Sequence, residues 1–211
     1  MNAIKILLVD DHEFVRAGFR SLIDYFPGMS VIGETNSGEN AITQYQQLRP
    51  DVVLLDLVMP GMGGEEALLK ILSIDPGARV IVLSAHDESP YAKRAIESGA
   101  MGYLSKRASP ETFQDAIKVV MKGERFIEPT LASRILFGGS TEEELTDLLT
   151  TREFEIFLLL AQGLSVNDIS LKLDLSPKTV GTHQTHIFQK CKTSNLASLT
   201  RLAIRNGYIE A

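Results

Sequence analysis

Acidic, hydroxyl and ammonium side chains stand where apolar runs of this chain end. Asp10 and Asp11 follow the first run, Asp56 follows the third, Ser84 closes the fourth and Lys106 follows the fifth. If these runs are strands of one parallel sheet, the side chains meet at one edge, where three carboxylates repel one another unless a cation holds them together. Mg²⁺ is commonly held by one or two carboxylates, waters and a phosphate oxygen. The pattern therefore predicts a Mg²⁺ site at that edge.

The side chains that accompany the carboxylates indicate phosphoryl chemistry. The Lys106 ammonium would supply a point charge for a phosphoryl group, and the Ser84 hydroxyl could donate to one of its oxygens. Asp56, at the end of an apolar run, is the natural nucleophile for an acyl phosphate. A lone aspartate in such a place is usually a helix cap or a loop carboxylate, so this interpretation depends on the joint pattern.

The first 125 residues alternate short apolar runs with longer amphipathic stretches. The runs predicted as strands are Ile4–Val9, Ser30–Gly33, Asp51–Leu55, Arg79–Ser84 and Gly102–Leu104. The stretches predicted as helices are Phe14–Phe26, Glu39–Leu48, Glu65–Ile74, Pro90–Ser98 and Pro110–Lys122. Continuous apolar strands separated by helices are typical of a parallel sheet that helices cover on both faces. We therefore expect residues 1–125 to form a doubly wound α/β domain with a five-stranded parallel sheet.

A different pattern follows Arg125. Residues 126–147 contain a Gly-Gly pair and an acidic run, and they are predicted as a linker that could contain a helix over Pro129–Leu136. Residues 148–211 then carry helix-start signals without strand patterns. We expect them to form a second domain that is entirely helical.

Four helices are predicted in this second domain. Thr150–Glu153 and Ser165–Asp168 each have the spacing of a capping box, in which an acid follows a hydroxyl residue three positions later. Pro177–Lys190 is the third helix, with a serine N-cap and proline at its first position, and Leu196–Asn206 is the fourth. The second and third helices are joined by a short turn, which is the helix-turn-helix arrangement.

Composition excludes several protein classes. The chain has 211 residues with 21 basic and 27 acidic side chains, and its single cysteine, Cys191, permits neither an internal disulfide nor a cysteine metal cluster. That cysteine usage suits a reducing compartment, so we expect a cytoplasmic protein. The apolar runs are far shorter than the roughly 20 residues of a membrane span, and no signal-peptide pattern is present, so we expect no membrane association.

Charge is distributed unevenly along the chain. Residues 176–209 carry five basic side chains and no acidic one, whereas the whole chain has a net charge of −6. Such a local positive field favours a polyanion, although a solvated helical face would have the same composition.

The motifs of the first domain resemble the receiver domain of bacterial two-component response regulators. The matching stretches are Leu8–His12, Val53–Asp56, Met59–Gly61, Leu83–Ala85 and Gly102–Lys106, and the resemblance covers roughly residues 3–123. It implies a flavodoxin-like fold and a protein that accepts phosphate from a sensor histidine kinase. The roles so implied are phosphate acceptor for Asp56, Mg²⁺ ligands for Asp10, Asp11, Asp56 and the Val58 backbone carbonyl, phosphoryl contacts for Ser84 and Lys106, and switch aromatic for Tyr103.

The segment Leu149–Ile209 resembles the LuxR-type DNA-binding domain of NarL/FixJ-type regulators. The resemblance is most specific over Gly163–Ile169, Leu175–Val180 and Thr182-His183. It implies double-stranded DNA as a partner, with Pro177–Lys190 as the recognition helix in the major groove.

One face of that helix should be buried and the opposite face should read DNA. We expect Val180, Ile187 and Cys191 to pack against Leu171 and Leu175. Residues predicted to contact DNA are Gly181, Thr182, Thr185 and Gln189 for base edges, Lys172 and Lys178 for phosphates, and Thr179 beside them. Relatives often carry Lys or Arg where this chain has Gly181 and Thr185, so we expect weaker nonspecific attraction to DNA.

Three functions are weighed against these features. The leading one is a transcription factor in which phosphorylation of the receiver controls the helix-turn-helix and promotes a homodimer on paired half-sites. The alternative is an adaptor or phosphate sink whose degenerate helix-turn-helix binds protein. An enzyme that hydrolyses phosphate esters is disfavoured, because the chain lacks both the Asp-x-Asp spacing of aspartate-nucleophile phosphatases and a Gly-rich phosphate loop after the first strand. We therefore expect no catalysis beyond the protein's own phosphorylation and dephosphorylation.

Overall fold

The chain divides into two compact units, residues 1–139 and 140–211. Their boundary falls within the predicted linker over residues 126–147. This computed structural model describes residues 3–84, 92, 95–128, 132, 148–206 and 208–209. Four residues of the predicted helix over Pro90–Ser98, and all but one residue of the predicted helix over Pro129–Leu136, therefore lie outside the described residues.

The first unit contains a parallel sheet with helices between its strands. The strands are β1 (Ile4–Val9), β2 (Met29–Thr35), β3 (Val52–Asp56), β4 (Val80–Ser84), β5 (Gly102–Ser105) and β6 (Phe126–Ile127). Helices with both ends in the described residues are α1 (Glu13–Tyr25), α2 (Gly38–Leu48), α3 (Gly64–Ile74) and α4 (Pro110–Met121). The strand order is β2-β1-β3-β4-β5-β6, and every neighbouring pair is parallel. The predicted α/β class and parallel sheet are confirmed, with a sixth strand that the sequence analysis did not predict.

Burial explains why the central strands are continuous apolar runs. Every residue of β3 and β4 is buried, because both faces of the sheet are covered. On one face α4 packs its apolar stripe, which includes Phe113 and Ile117, and Phe113 stacks on Phe19 of α1. The ends of β1, β3, β4 and β5 are thereby held side by side, which positions the polar residues that follow them.

The sixth strand, β6, contains only two residues. Phe126 pairs with Gly102 and Ile127 pairs with Tyr103, so β6 extends the sheet beyond β5. It takes the first two residues of the predicted linker. A strand of this length has no measurable periodicity, and its formation depends on the open edge of β5, which local sequence does not reveal.

The described part of the second unit contains four helices: α5 (Thr151–Ala161), α6 (Val166–Lys172), α7 (Pro177–Lys190) and α8 (Leu196–Arg205). Both predicted capping boxes are present, at Thr150–Glu153 and Ser165–Asp168. Within the described residues, no helix is long and apolar enough to cross a membrane.

One prediction about the core of the second unit is wrong. Val180 and Ile187 are fully buried and Cys191 is half-buried, as expected, but Leu171 is 83% exposed and Leu175 is only half-buried. Helix α6 has seven residues, and the side it turns inward carries Ile169 instead. Leu171 lies two positions further on, about 200° around a helix, and so faces away from the core.

Candidate functional site

The predicted acidic residues come together at one edge of the sheet. Strands β1 and β3 are neighbours with Val9 opposite Leu55, so Asp10 and Asp56 follow at the same level. Both aspartates are buried, with 3% exposure each. Ligand atoms of Asp10, Asp11, His12 and Asp56 all lie within 4.8 Å of one another. We call these four residues the acidic pocket.

Lys106 reaches this pocket from the end of β5. Its Nζ lies 2.7 Å from Asp10 Oδ2 and 2.8 Å from Asp56 Oδ2. Its backbone N–H donates to the Ser84 carbonyl oxygen at 2.7 Å, which ties the end of β5 to the end of β4. Ser84 itself is buried. The structure thus brings Lys106 to the carboxylates at the edge of the sheet that the strand-end pattern indicated. It also joins the backbone of Lys106 to that of Ser84, a contact that the sequence did not predict.

Burial dominates the electrostatics of the pocket. Burial raises the pKa of Asp56 to about 7, and the negative charge of Asp10 acts in the same direction. Two groups oppose the rise: the Lys106 ammonium, and the Val58 N–H, which donates to Asp56 Oδ1 at 3.3 Å. Burial alone would lower the pKa of Lys106, but the Asp56 and Asp10 carboxylates outweigh it and the pKa is raised. Three carboxylates face one ammonium here, so the pocket suits additional positive charge.

The donor set of the pocket fits a divalent cation. Asp11 Oδ1 is buried and accepts no aligned hydrogen bond in the part of the chain that the structure describes, although His12 Nδ1 lies 2.9 Å from it. A buried carboxylate oxygen without a hydrogen bond is costly, and a bound cation would remove that cost. Carboxylates are the ligands that hard divalent ions prefer. The pocket is therefore compatible with a divalent metal.

Two further predicted site residues lie beside the pocket. Val58 stands two positions beyond Asp56, and its N–H, not the carbonyl oxygen named as a metal ligand, contacts the Asp56 carboxylate. Tyr103 is fully buried in β5, opposite Val82 of β4 and Ile127 of β6.

The sequence analysis did not predict two residues that lie at the pocket, Arg16 and Gly64. Arg16 donates to the Asp10 backbone carbonyl at 2.6 Å, and it lies near the N-terminus of α1, where the helix dipole disfavours a cation. That unfavourable placement is a signal that could have marked it as functional. Gly64 begins α3 so close to β3 that an added Cβ would lie 1.9 Å from the Asp56 carbonyl oxygen, so only glycine fits.

The residues predicted to contact DNA lie on the surface of the second unit. Those exposed are Lys172, Lys178, Thr179, Thr182, Thr185 and Gln189, whereas Gly181 is half-buried. Two of the hydroxyls are used within α7: Thr182 donates to the Lys178 carbonyl and Thr185 to the Gly181 carbonyl, each at 3.0 Å. Nothing in the described structure lies within 4 Å of a Cβ built on Gly181, so a side chain would fit there.

Lys190, at the end of α7, is held by the domain itself. Its Nζ donates to Glu153 Oε2 at 2.5 Å, and His186 Nδ1 lies 3.8 Å from Glu153 Oε1. Burial raises the pKa of Glu153, but the Lys190 ammonium and the Thr150 N–H outweigh it, and the pKa is lowered. This pair joins α7 to the start of α5 across 37 positions of sequence. Lys190 is one of the five basic side chains of residues 176–209, and its charge is paired with Glu153.

Comparison with known proteins accounts for both units. Residues 6–118 match the family described as response regulator receiver domain, and residues 147–203 match the bacterial regulatory proteins of the luxR family. The chain belongs to the response regulator family. It is a response regulator with a receiver domain and a LuxR-type DNA-binding domain, as the motifs indicated.

Relatives of this response regulator match it along nearly its whole length. Response regulator UvrY of Escherichia coli is 40% identical over 212 residues, covering 99% of this chain and 97% of that protein. Response regulator GacA of Pseudomonas aeruginosa is 38% identical over 211 residues, covering 99% of each. Among solved structures, Salmonella enterica serovar Typhimurium RcsB, bound to promoter DNA in the presence of a phosphomimetic, is 25% identical, with a TM-score of 0.64 over 95% of this chain and 98% of that one.

Proposed function

We propose that this response regulator is switched by phosphorylation of Asp56 and that DNA binding is its output. A sensor histidine kinase is the phosphoryl donor, and the phosphorylated or DNA-bound form is a homodimer. The receiver occupies residues 1–125 and the LuxR-type domain residues 148–211, with residues 126–147 as the linker. We propose no enzymatic turnover beyond the protein's own phosphorylation and dephosphorylation.

The observation that carries the proposal is the contact of Lys106 with the two buried carboxylates. Its ammonium lies 2.8 Å from Asp56 Oδ2, where a phosphoryl group on Asp56 would bring its negative charge. A second contact, 2.7 Å to Asp10 Oδ2, holds the ammonium in place. Preorganised charge of this kind stabilises a transferring phosphoryl group without reorganisation during the reaction.

The transfer step forms one bond and breaks one. A carboxylate oxygen of Asp56 attacks the phosphorus of the kinase phosphohistidine, the phosphorus–nitrogen bond breaks, and the electron pair returns to the imidazole nitrogen. Mg²⁺, held by Asp10, Asp11, Asp56 and the Val58 backbone carbonyl, would supply positive charge to the phosphoryl oxygens. Lys106 then pairs with the new phosphoryl group.

Phosphorylation changes the charge at the end of β3, and the ends of β4 and β5 respond. Ser84 donates its hydroxyl to the phosphoryl group, and Lys106 carries the backbone of Ser84 with it, because their main chains are hydrogen-bonded. Tyr103, one strand over, repacks as the switch aromatic. The RcsB structure, with promoter DNA and a phosphomimetic together, supports the same coupling in this chain.

Helix α7 is the proposed DNA-reading element. Lys172 and Lys178 bind phosphates and set the position of the helix in the major groove. The other residues predicted to contact DNA can then reach base edges in the groove: Thr179, Gly181, Thr182, Thr185 and Gln189.

A second candidate function is a phospho-receiver adaptor that binds protein through its helix-turn-helix. It is favoured by the shortage of cations on α7, where Gly181 and Thr185 are uncharged and Lys190 is paired with Glu153. Retention of genomic DNA fragments at low salt separates the two candidates. If the phosphorylated protein retains no fragment, the adaptor is correct.

The phosphorylation site is tested with a small-molecule phosphoryl donor and Mg²⁺. Intact-mass spectrometry should show one phosphoryl group on the native chain and none on Asp56→Asn. The matched control is Asp24→Asn, which changes an exposed aspartate on α1 and should leave phosphorylation unchanged. An Asp56→Asn protein that still acquires acid-labile phosphate would eliminate this assignment.

A further inference from the structure

Helix α7 presents a line of uncharged side chains on its exposed side. Lys178, Thr182, Thr185 and Gln189 are exposed, and their spacings of four, three and four residues place them in one line along the helix, opposite its buried side. No basic or acidic residue stands between Lys178 and Lys190. We call Thr182, Thr185 and Gln189 the neutral stripe.

The hydroxyl protons of both threonines are used inside the helix. Thr182 Oγ1 donates to the Lys178 carbonyl and Thr185 Oγ1 to the Gly181 carbonyl, each at 3.0 Å. A hydroxyl has one proton, so neither side chain can also donate to a base. Because each Oγ1 turns back toward the preceding turn of the helix, the methyl group is the branch that these exposed side chains offer to a ligand.

The titratable side chains that follow Lys178 on α7 are buried or turned toward α5. His183 Nδ1 is buried, and His186 Nδ1 lies 3.8 Å from Glu153 Oε1, although the rest of its ring is exposed. Lys190 is paired with the same carboxylate. The neutral stripe therefore consists of two methyl groups and one amide, with no charged group among them.

Methyl groups and an amide are the groups that recognise A·T pairs. In the major groove thymine presents its C5-methyl group, which threonine methyls contact, and a glutamine amide pairs with adenine N6 and N7. Arginine and lysine, the commonest partners of guanine, are absent from the neutral stripe.

We propose that the neutral stripe reads A·T pairs and that Thr182 and Thr185 pack their methyl groups against thymine methyl groups. The inference names the class of DNA sequence that the protein recognises. It rests on the proposed function, since it takes α7 as the DNA-reading helix.

Replacement of thymine by uracil tests the proposal, because it removes the C5-methyl group and leaves the hydrogen bonds of the base pair unchanged. The phosphorylated full-length protein first selects a duplex from a random library. Each thymine of the selected half-site is then replaced in turn, and affinities are measured by fluorescence anisotropy. A methyl group buried against threonine contributes about fourfold to affinity, so we expect a loss of about fourfold at the contacted thymines and none at the others.

Serine and valine variants separate the methyl group from the hydroxyl. Thr182→Ser and Thr185→Ser remove only the methyl group, so each should lose the difference between thymine and uracil at one position. Thr182→Val keeps a methyl group without the hydroxyl and should retain that difference. The matched control is Thr43→Ser on α2, an exposed threonine whose Oγ1 also donates to the carbonyl four residues earlier, that of Glu39. This control should retain the difference at every position.

The outcomes separate this inference from the proposed function. If the protein selects a duplex but binds its thymine and uracil forms equally at every position, the inference is refuted and DNA binding stands. Serine variants that retain every native difference would also refute it. So would a difference that Thr182→Val loses and Thr182→Ser retains, because the hydroxyl would then be the contact. If the phosphorylated native protein selects no DNA, the inference and the proposed function both fail.

Discussion

Gly181→Lys should strengthen DNA binding and increase its dependence on salt. Residue 181 lies in the interior of α7, and a Cβ there would meet nothing within 4 Å, so the lysine can be accommodated. Replacing an interior helical glycine stabilises a helix by about 0.5–1 kcal/mol. One new phosphate contact adds about 0.9 to the slope of log affinity against log salt, which is an extra loss of about 3.5-fold for each fourfold rise in salt.

The assay for this prediction is fluorescence anisotropy on a duplex selected by the native protein, repeated over a series of salt concentrations. Gly181→Ala is the matched control, because it stabilises the helix without adding charge. The lysine variant should have the steeper slope, and the alanine variant the native slope. Equal slopes for the two variants would refute the placement of α7 in the major groove of DNA.

Three other predictions concern the two units separately. Lys106→Met leaves two buried carboxylates without their ammonium and should lower the free energy of unfolding in urea by about 3–5 kcal/mol when no divalent ion is present; a loss below about 1 kcal/mol would contradict the ion-pair account. Gly64→Ala forces a Cβ against the Asp56 carbonyl and should reduce phosphorylation measured by intact mass, whereas Gly18→Ala, in open space, should not. Burial lowers the pKa of His183 below its ordinary value of 6.5, so the folded state favours the neutral imidazole. The stability that this neutral form contributes is present above pH 6.5 and is lost as the pH falls toward the pKa of the folded state. Proton NMR should find the His183 titration below pH 6.5, and a titration above pH 6.5 would contradict its burial.

The sequence predicts the acidic pocket because strand ends are a local signal. Asp10 and Asp56 each close an apolar run, and parallel strands bring such ends to one edge. The partner of Lys190 could not be predicted in the same way, because Glu153 lies 37 positions away and reads as half of a capping box. Leu171 was placed wrongly because a seven-residue helix contains too few apolar positions to define its buried face.

The two-residue strand β6 and the close contact between Gly64 and the Asp56 carbonyl also could not be predicted from the sequence. The pairing of Phe126–Ile127 with β5 depends on which edge of the sheet remains open after α4. Gly64 resembles any helix-start glycine until the structure places the Asp56 carbonyl beside it. In both cases the deciding contact comes from an element distant in sequence.

The central claim is that phosphorylation at Asp56 controls DNA binding by this chain. The most direct measurement is DNA footprinting on fragments retained by the native protein, with and without prior phosphorylation, beside Asp56→Asn treated identically. The account predicts that phosphorylation tightens protection of a defined site in the native protein and has no effect on the variant. Equal protection by phosphorylated and unphosphorylated native protein, or a response that persists in Asp56→Asn, would contradict it.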